Sequence, residues 1–91
     1  MTIEFLASLE VREVLFELIW GDRFEKDLAS KFDSKDSFYN IRDRLLEENL
    51  IFRLFGENES PYISLTDKGI AVVNRLHEIE RIMQGEDIDS E

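Results

Sequence analysis

Between residues 34 and 51 the chain reads SKDSFYNIRDRLLEENLI, and its hydrophobic period changes there without a gap. Phe38, Ile41, Leu45 and Leu46 return at helical spacing, and from Leu50 onward the pattern alternates in the strand sense. Asp33 or Ser34 supplies a capping side chain at the start. Asn49 stands at the junction, and asparagine is among the few non-glycine residues that tolerate a positive φ, so the helix is expected to stop there and turn straight into a strand. A helix abutting a strand with no intervening loop leaves few ways to pack its neighbours.

Downstream, Leu50, Phe52 and Leu54 fall on one face of that strand, and Ile51, Arg53 and Phe55 on the other. GENESP forms a loop, and residues 62–65 return with Ile63 and Leu65 inward, so residues 50–65 are expected to be a hairpin with its tip at residues 56–60. Thr66 caps a last helix over residues 66–84. In it Val72, Leu76, Ile79 and Met83 recur at spacings of four, three and four, a heptad-like seam with Val73 beside it.

Upstream, Val11, Val14, Leu15, Leu18 and Ile19 mark a first helix over residues 8–20, followed by Gly21 at a cap position. Phe5, Leu9, Phe16 and Trp20 make a second stripe on the same helix, which is therefore expected to be covered on two sides. Glu10, Glu13 and Glu17 occupy the remaining, solvated face. Asp22 and Glu25 approximate a capping box for a short second helix with Phe24, Leu28, Ala29 and Phe32 inward. The small Ala29 permits the close helix crossing that a tight helix-turn-helix requires.

Ninety-one residues allow one small domain, here residues 1–84, and residues 85–91 (GEDIDSE) form an acidic tail too polar to fold. The chain has no cysteine, which excludes disulfides and thiolate chemistry. No apolar run is long enough for a membrane span and the first residues do not resemble a signal peptide, so a soluble cytoplasmic protein is expected. His77 is the only histidine and lies beside the apolar seam; no glycine-rich phosphate loop, nucleophile set or metal spacing accompanies it. Neither an enzyme nor a metal or cofactor site is expected.

With these elements in order, residues 22–69 resemble the winged-helix transcription regulators of the MarR and PadR type, including small archaeal relatives. LASKFDSKDSF looks like the helix, turn and start of the recognition helix. RDRLLEENLI looks like the end of that helix and entry to the wing, and YISLTDKG like the return strand leading into the last helix. Asn49 occupies a position where the family usually has glycine. The resemblance implies an α+β, mostly helical fold: a winged helix-turn-helix with a two-stranded wing and a long C-terminal helix. It also implies a homodimer on double-stranded DNA, with one recognition helix per protomer in the major groove.

On a helical wheel with Phe38 and Leu45 inward, Ser37, Asn40 and Arg44 turn outward and Tyr39 lies on the flank. Asn40 is suited to a bidentate contact with adenine, Arg44 to guanine or phosphate, and Ser37 and Tyr39 to hydrogen bonds with backbone or base edges. Lys35 and Arg53 have the charge to meet phosphate. Asp36, Asp43 and Glu47 share the outward face and oppose this use of it. Arg42 falls between Phe38 and Leu45, where it needs a carboxylate partner or a path to solvent. Dimerisation is expected through Phe5, Leu9, Phe16 and Trp20 together with Val72, Leu76, Ile79 and Met83.

The net charge of −10 opposes a polyanionic partner, but it is unevenly spread. Residues 23–44 hold six bases and five acids, a local net of +1, which leaves −11 on the remainder. With a Debye length of about 8 Å at physiological salt, distant carboxylates are screened from a contact surface. The acidic wing tip, with Glu57, Asn58 and Glu59, and the acidic face of the first helix equally suit a second reading, a winged-helix module that binds a basic protein partner.

Overall fold

A computed structural model describes residues 2–56 and 60–85. Five helices and three strands follow in the order α1 (Thr2–Leu6), α2 (Leu9–Leu18), β1 (Arg23–Phe24), α3 (Glu25–Ala29), α4 (Lys35–Glu47), β2 (Ile51–Phe55), β3 (Pro61–Leu65) and α5 (Asp67–Met83). The wing tip at Glu57, Asn58 and Glu59 and the tail at residues 86–91 lie outside the described residues.

The core is built from one face of each main element: Val11, Val14, Leu15 and Leu18 of α2, Leu28 and Ala29 of α3, Phe38 and Leu45 of α4, Leu50, Ile51 and Ile63 at the sheet, and Val73 of α5. Leu15 of α2, Leu45 of α4 and Val73 of α5 are fully buried in this one cluster. The turns close as their residues require. The Ser34 hydroxyl accepts from the Ser37 amide at 3.1 Å, and Asn49 takes φ +62° where α4 ends. Gly21 takes φ +138° beyond α2. Thr66 caps α5, its hydroxyl accepting from the Gly69 amide at 2.9 Å.

Three expectations are corrected. The first helix is two helices: Ser8 is extended (φ −68°, ψ 131°) and caps α2, while Phe5 belongs to α1. The stripe Phe5, Leu9, Phe16, Trp20 is therefore not continuous. Phe5 and Phe16 pack on the domain's own core, whereas Leu9 and Trp20 are exposed.

The two-stranded wing forms as expected from β2 and β3, and a third strand joins it; with that strand, Asp22 and Phe24 take other places than expected. Arg23 and Phe24 pair with Ile63 and Tyr62, giving the order β1-β3-β2. This pairing holds residues 23–24 extended, so Asp22 is not the cap of α3; Phe24 takes that position without a side-chain hydrogen bond, and Glu25 turns inward. Phe24 is correspondingly exposed on the outer face of the sheet, in register with Tyr62 and Leu54. In β2, the side that carries Ile51 and pairs with Leu65 and Ile63 faces the core; Phe52 and Leu54 are exposed.

Finally, Glu17 is not merely solvated, since it bridges Lys31 and Arg23, each at 3.2 Å. Those two hydrogen bonds, that from Lys31 foremost, hold its carboxyl below the ordinary range.

Candidate nucleic-acid interface

Helix α4 is anchored from three sides. Phe38 and Leu45 bury its inner face, the Ser34 cap fixes its first turn, and its last turn is bound to the start of α5, where Lys68 Nζ donates to the Glu48 carbonyl at 2.8 Å and Thr66 Oγ1 donates to the Asn49 carbonyl at 2.7 Å. The remaining face is an exposed ridge of Asp36, Asn40, Asp43 and Glu47, flanked by Ser37 and Tyr39.

The six side chains expected to meet DNA divide into two groups. Lys35, Ser37, Tyr39 and Asn40 lie together on the exposed N-terminal half of α4. Among the described residues Lys35 has no ion-pair partner and Asn40 no side-chain hydrogen bond, while the Ser37 hydroxyl accepts from Ser34 at 3.0 Å. The Tyr39 ring is held against Phe38, with ring centroids 5.9 Å apart, and carries the Arg42 guanidinium 4.7 Å from its centre. Arg44 and Arg53 are engaged elsewhere. Arg44 lies 4.8 Å over the ring of Phe5 and 3.8 Å from Glu48. Arg53 donates from Nε to Glu25 Oε1 at 2.7 Å and from its terminal nitrogen to Oε2 at 3.2 Å, a bidentate pair.

Arg42 has the carboxylate partner its inward position called for. It meets Glu25 at 3.1 Å and Asp43 at 2.9 Å, with its side chain only 17% exposed. Glu25 thus joins α3 to α4 and to β2, with a side chain 9% exposed. Burial pushes its carboxyl pKa up, but the Arg53 hydrogen bond and the attraction of Arg42 and Arg53 outweigh that and hold it below its ordinary value. Two cations and two carboxylates make this cluster neutral.

Sequence reasoning did not single out Glu25 or Lys26 as functional. In the sequence Glu25 stands as a capping residue, and only the inward position of Arg42 hints at a buried acid. Lys26, exposed and over the Phe24 ring at 5.8 Å, shares a small cleft with Tyr39, Ser60 and Pro61, on the same flank of α4. Nothing in the local sequence distinguishes it from a solvated lysine.

The eight residues expected at a dimer interface are not brought together. Val72, Leu76 and Ile79 line an apolar groove of about 650 Å³ with Leu6 and Ala7 of the α1 end. Trp20 lines a separate cleft with Glu10, Glu13, Lys31 and Phe32, and Phe16 packs edge-on against His77 at 4.4 Å. Ile79 and Met83 are exposed on α5. Among the described residues no group of three or more carboxylates and histidines is arranged to hold a metal ion, and no helix is long and apolar enough to cross a membrane.

No protein-family model and no curated protein sequence matches the chain. Solved structures do. MepR, a transcription regulator of the Staphylococcus aureus multidrug efflux pump MepA, superposes with a TM-score of 0.77 at 22% identity over 89% of this chain and 63% of its own. The chain thus spans less than two thirds of that form of MepR. MepR in its complex with DNA aligns with a TM-score of 0.76 at 22% identity, over 90% of this chain and 71% of MepR. AF1382 from Archaeoglobus fulgidus aligns with a TM-score of 0.73 at 24% identity, covering 94% of this chain and 100% of its own length. Element order, the three-stranded sheet and the long last helix agree with this likeness: the chain has the winged helix-turn-helix fold of these structures.

Proposed function

We propose that the protein binds double-stranded DNA in a sequence-dependent manner as a homodimeric transcription regulator, with α4 in the major groove. The observation that carries this reading is the free N-terminal half of α4. Lys35, Ser37, Tyr39 and Asn40 stand exposed on a helix whose other faces are fixed, and MepR, which has the same fold, has been solved with DNA. Asn40 reads a base edge, Ser37 and Tyr39 contact backbone or base, and Lys35 meets phosphate at the helix N-terminus, whose partial positive charge assists it. Arg44 supplies a further cation where it leaves Phe5. The apolar groove and exposed end of α5 form the dimer contact.

A fluorescence-anisotropy titration tests this, first against a randomised duplex pool and then against selected sequences. Lys35→Ala is expected to weaken binding uniformly and to reduce the salt slope by about 0.9 per protomer. Asn40→Ala is expected to cost about 1–3 kcal/mol on the preferred site and much less elsewhere. Absence of binding to any duplex at low salt rejects the reading.

One observation favours a second reading, a module for a basic protein partner: the outermost ridge of α4 carries Asp36, Asp43 and Glu47 around the single Asn40. Retention of a lysine-rich peptide without retention of duplex supports that alternative.

A further inference from the structure

The Glu25 cluster has a composition that packing alone does not require. A buried apolar residue at position 25 would fill the same space, yet the chain places a carboxylate there and brings two guanidinium groups to it from different elements, Arg42 from α4 and Arg53 from β2. Both oxygens of Glu25 are in use: Oε1 accepts from Arg53 at 2.7 Å, and Oε2 faces Arg53 at 3.2 Å and Arg42 at 3.1 Å. The other edge of Arg42 is taken by Asp43 at 3.0 and 2.9 Å. Either guanidinium that turned toward an external anion would give up its bond to a carboxylate only 9% exposed and leave that carboxylate with a single cation, so each is held in place by Glu25. Arg53 is 33% exposed and its charge interacts with Asp43 and Tyr39 on the flank of α4, so it stands close to the face that would meet DNA.

We propose that Glu25 is an internal competitor for phosphate: by holding Arg42 and Arg53 in a neutral cluster beside α4, it withholds two cations per protomer from a polyanion and sets the affinity for DNA low. The ligand named here rests on the DNA-binding reading. Arg53, one of the two residues whose charge was expected from sequence to meet phosphate, is on this view held in reserve, and contact with the backbone falls to Lys35 and Lys26. A polyanion gains these two guanidinium groups only when Glu25 is neutral or displaced.

The experiment measures the salt needed to elute folded protein from heparin, a polyanion without sequence, alongside anisotropy with duplex DNA. Glu25→Gln is compared with Asp27→Asn, which changes net charge equally at an exposed position of the same helix. Glu25→Gln is expected to elute at higher salt than Asp27→Asn. Its binding should also fall more steeply with salt, by about 0.9 for each guanidinium freed, or up to about 1.8 per protomer. Adding Arg53→Gln should remove roughly half of that gain. A second comparison holds should Glu25→Gln fail to fold: Arg53→Gln is expected to lower retention of the otherwise native protein less than Lys35→Gln does, although each removes one positive charge.

Equal retention of folded Glu25→Gln and Asp27→Asn, or a loss in Arg53→Gln as large as in Lys35→Gln, overturns the proposal. If the variants follow the expected order on heparin yet no duplex is bound, the DNA-binding reading fails and the withholding stands. If native protein binds duplex but Glu25→Gln gains nothing over Asp27→Asn, the reverse holds.

Discussion

The hydroxyl of Thr66 donates to the carbonyl of Asn49 at 2.7 Å, tying the first turn of α5 to the one residue at which α4 reverses into β2. The same hydroxyl accepts from the Gly69 amide, and the Thr66 amide donates to the Leu50 carbonyl at 3.0 Å. Through these bonds the end of α4 and the start of α5 are one unit, so the exposed face of α4 inherits its position from a turn outside that face.

Asn49 has φ +62°, a conformation that costs most L residues about 1–2 kcal/mol. Asn49→Ala is therefore expected to lower stability by about 1 kcal/mol, and Asn49→Gly to leave it unchanged or slightly raised. Urea denaturation of the three proteins checks the order.

A Cβ at Gly69 would collide with the carbonyl oxygen of Leu50 and lie 3.1 Å from the Leu65 side chain. Gly69→Ala gains up to about 1 kcal/mol in helix propensity. The collision is with backbone that also accepts from Thr66, so it cannot relax by a rotamer change. The expected outcome is a net loss of about 2 kcal/mol, read as a fall in the denaturation midpoint.

Acid stability follows from the carboxylates of Glu25 and Glu17, both held below the ordinary value of 4.5. A group with a depressed folded-state pKa contributes stability that is fully present above its unfolded value and disappears as pH falls through its folded one. Thermal midpoints are thus expected to be level above about pH 6 and to drop as the solution is taken below about pH 4.5. In Glu25→Gln part of that acid-side drop should be missing, because its titrating group is gone; an unaltered profile would contradict the assignment.

Dimerisation is tested at the exposed end of α5, where Ile79 and Met83 are 53% and 80% exposed. Because neither supports the domain's own core, Ile79→Glu or Met83→Glu should change monomer stability by no more than about 0.5 kcal/mol. Sedimentation at micromolar concentration should nevertheless shift from dimer to monomer. A native protein that sediments as a monomer removes the dimer from the proposed function.

Much of the fold was legible where local chemistry and global packing agree. The Ser34 and Thr66 caps, the reversal at Asn49, the inward Phe38, Leu45 and Ile63, and the hairpin between α4 and α5 all follow from side chains that act on their own backbone or from simple periodicity. β1 was not legible. Two residues have no period, and Arg23 and Phe24 are extended only because β3 offers them a partner some forty positions away. The break at Ser8 was hidden for a related reason: the apolar spacing from Phe5 to Trp20 fits one helix as well as two, and only the packing of α1 decides.

The sequence by itself determined which residues can face outward on α4, because a helical wheel depends on the chain's own geometry and little else. It also required that Arg42 find either a carboxylate or a path to solvent, since a guanidinium between Phe38 and Leu45 cannot be left buried and unpaired. Only the tertiary structure decided that the carboxylate is Glu25, that Arg53 shares it, and that Lys35 is left without an ion pair among the described residues. The physical reason is range: capping and periodicity act over a few residues, whereas an ion pair between positions 25 and 53 exists only once α3, α4 and β2 have packed.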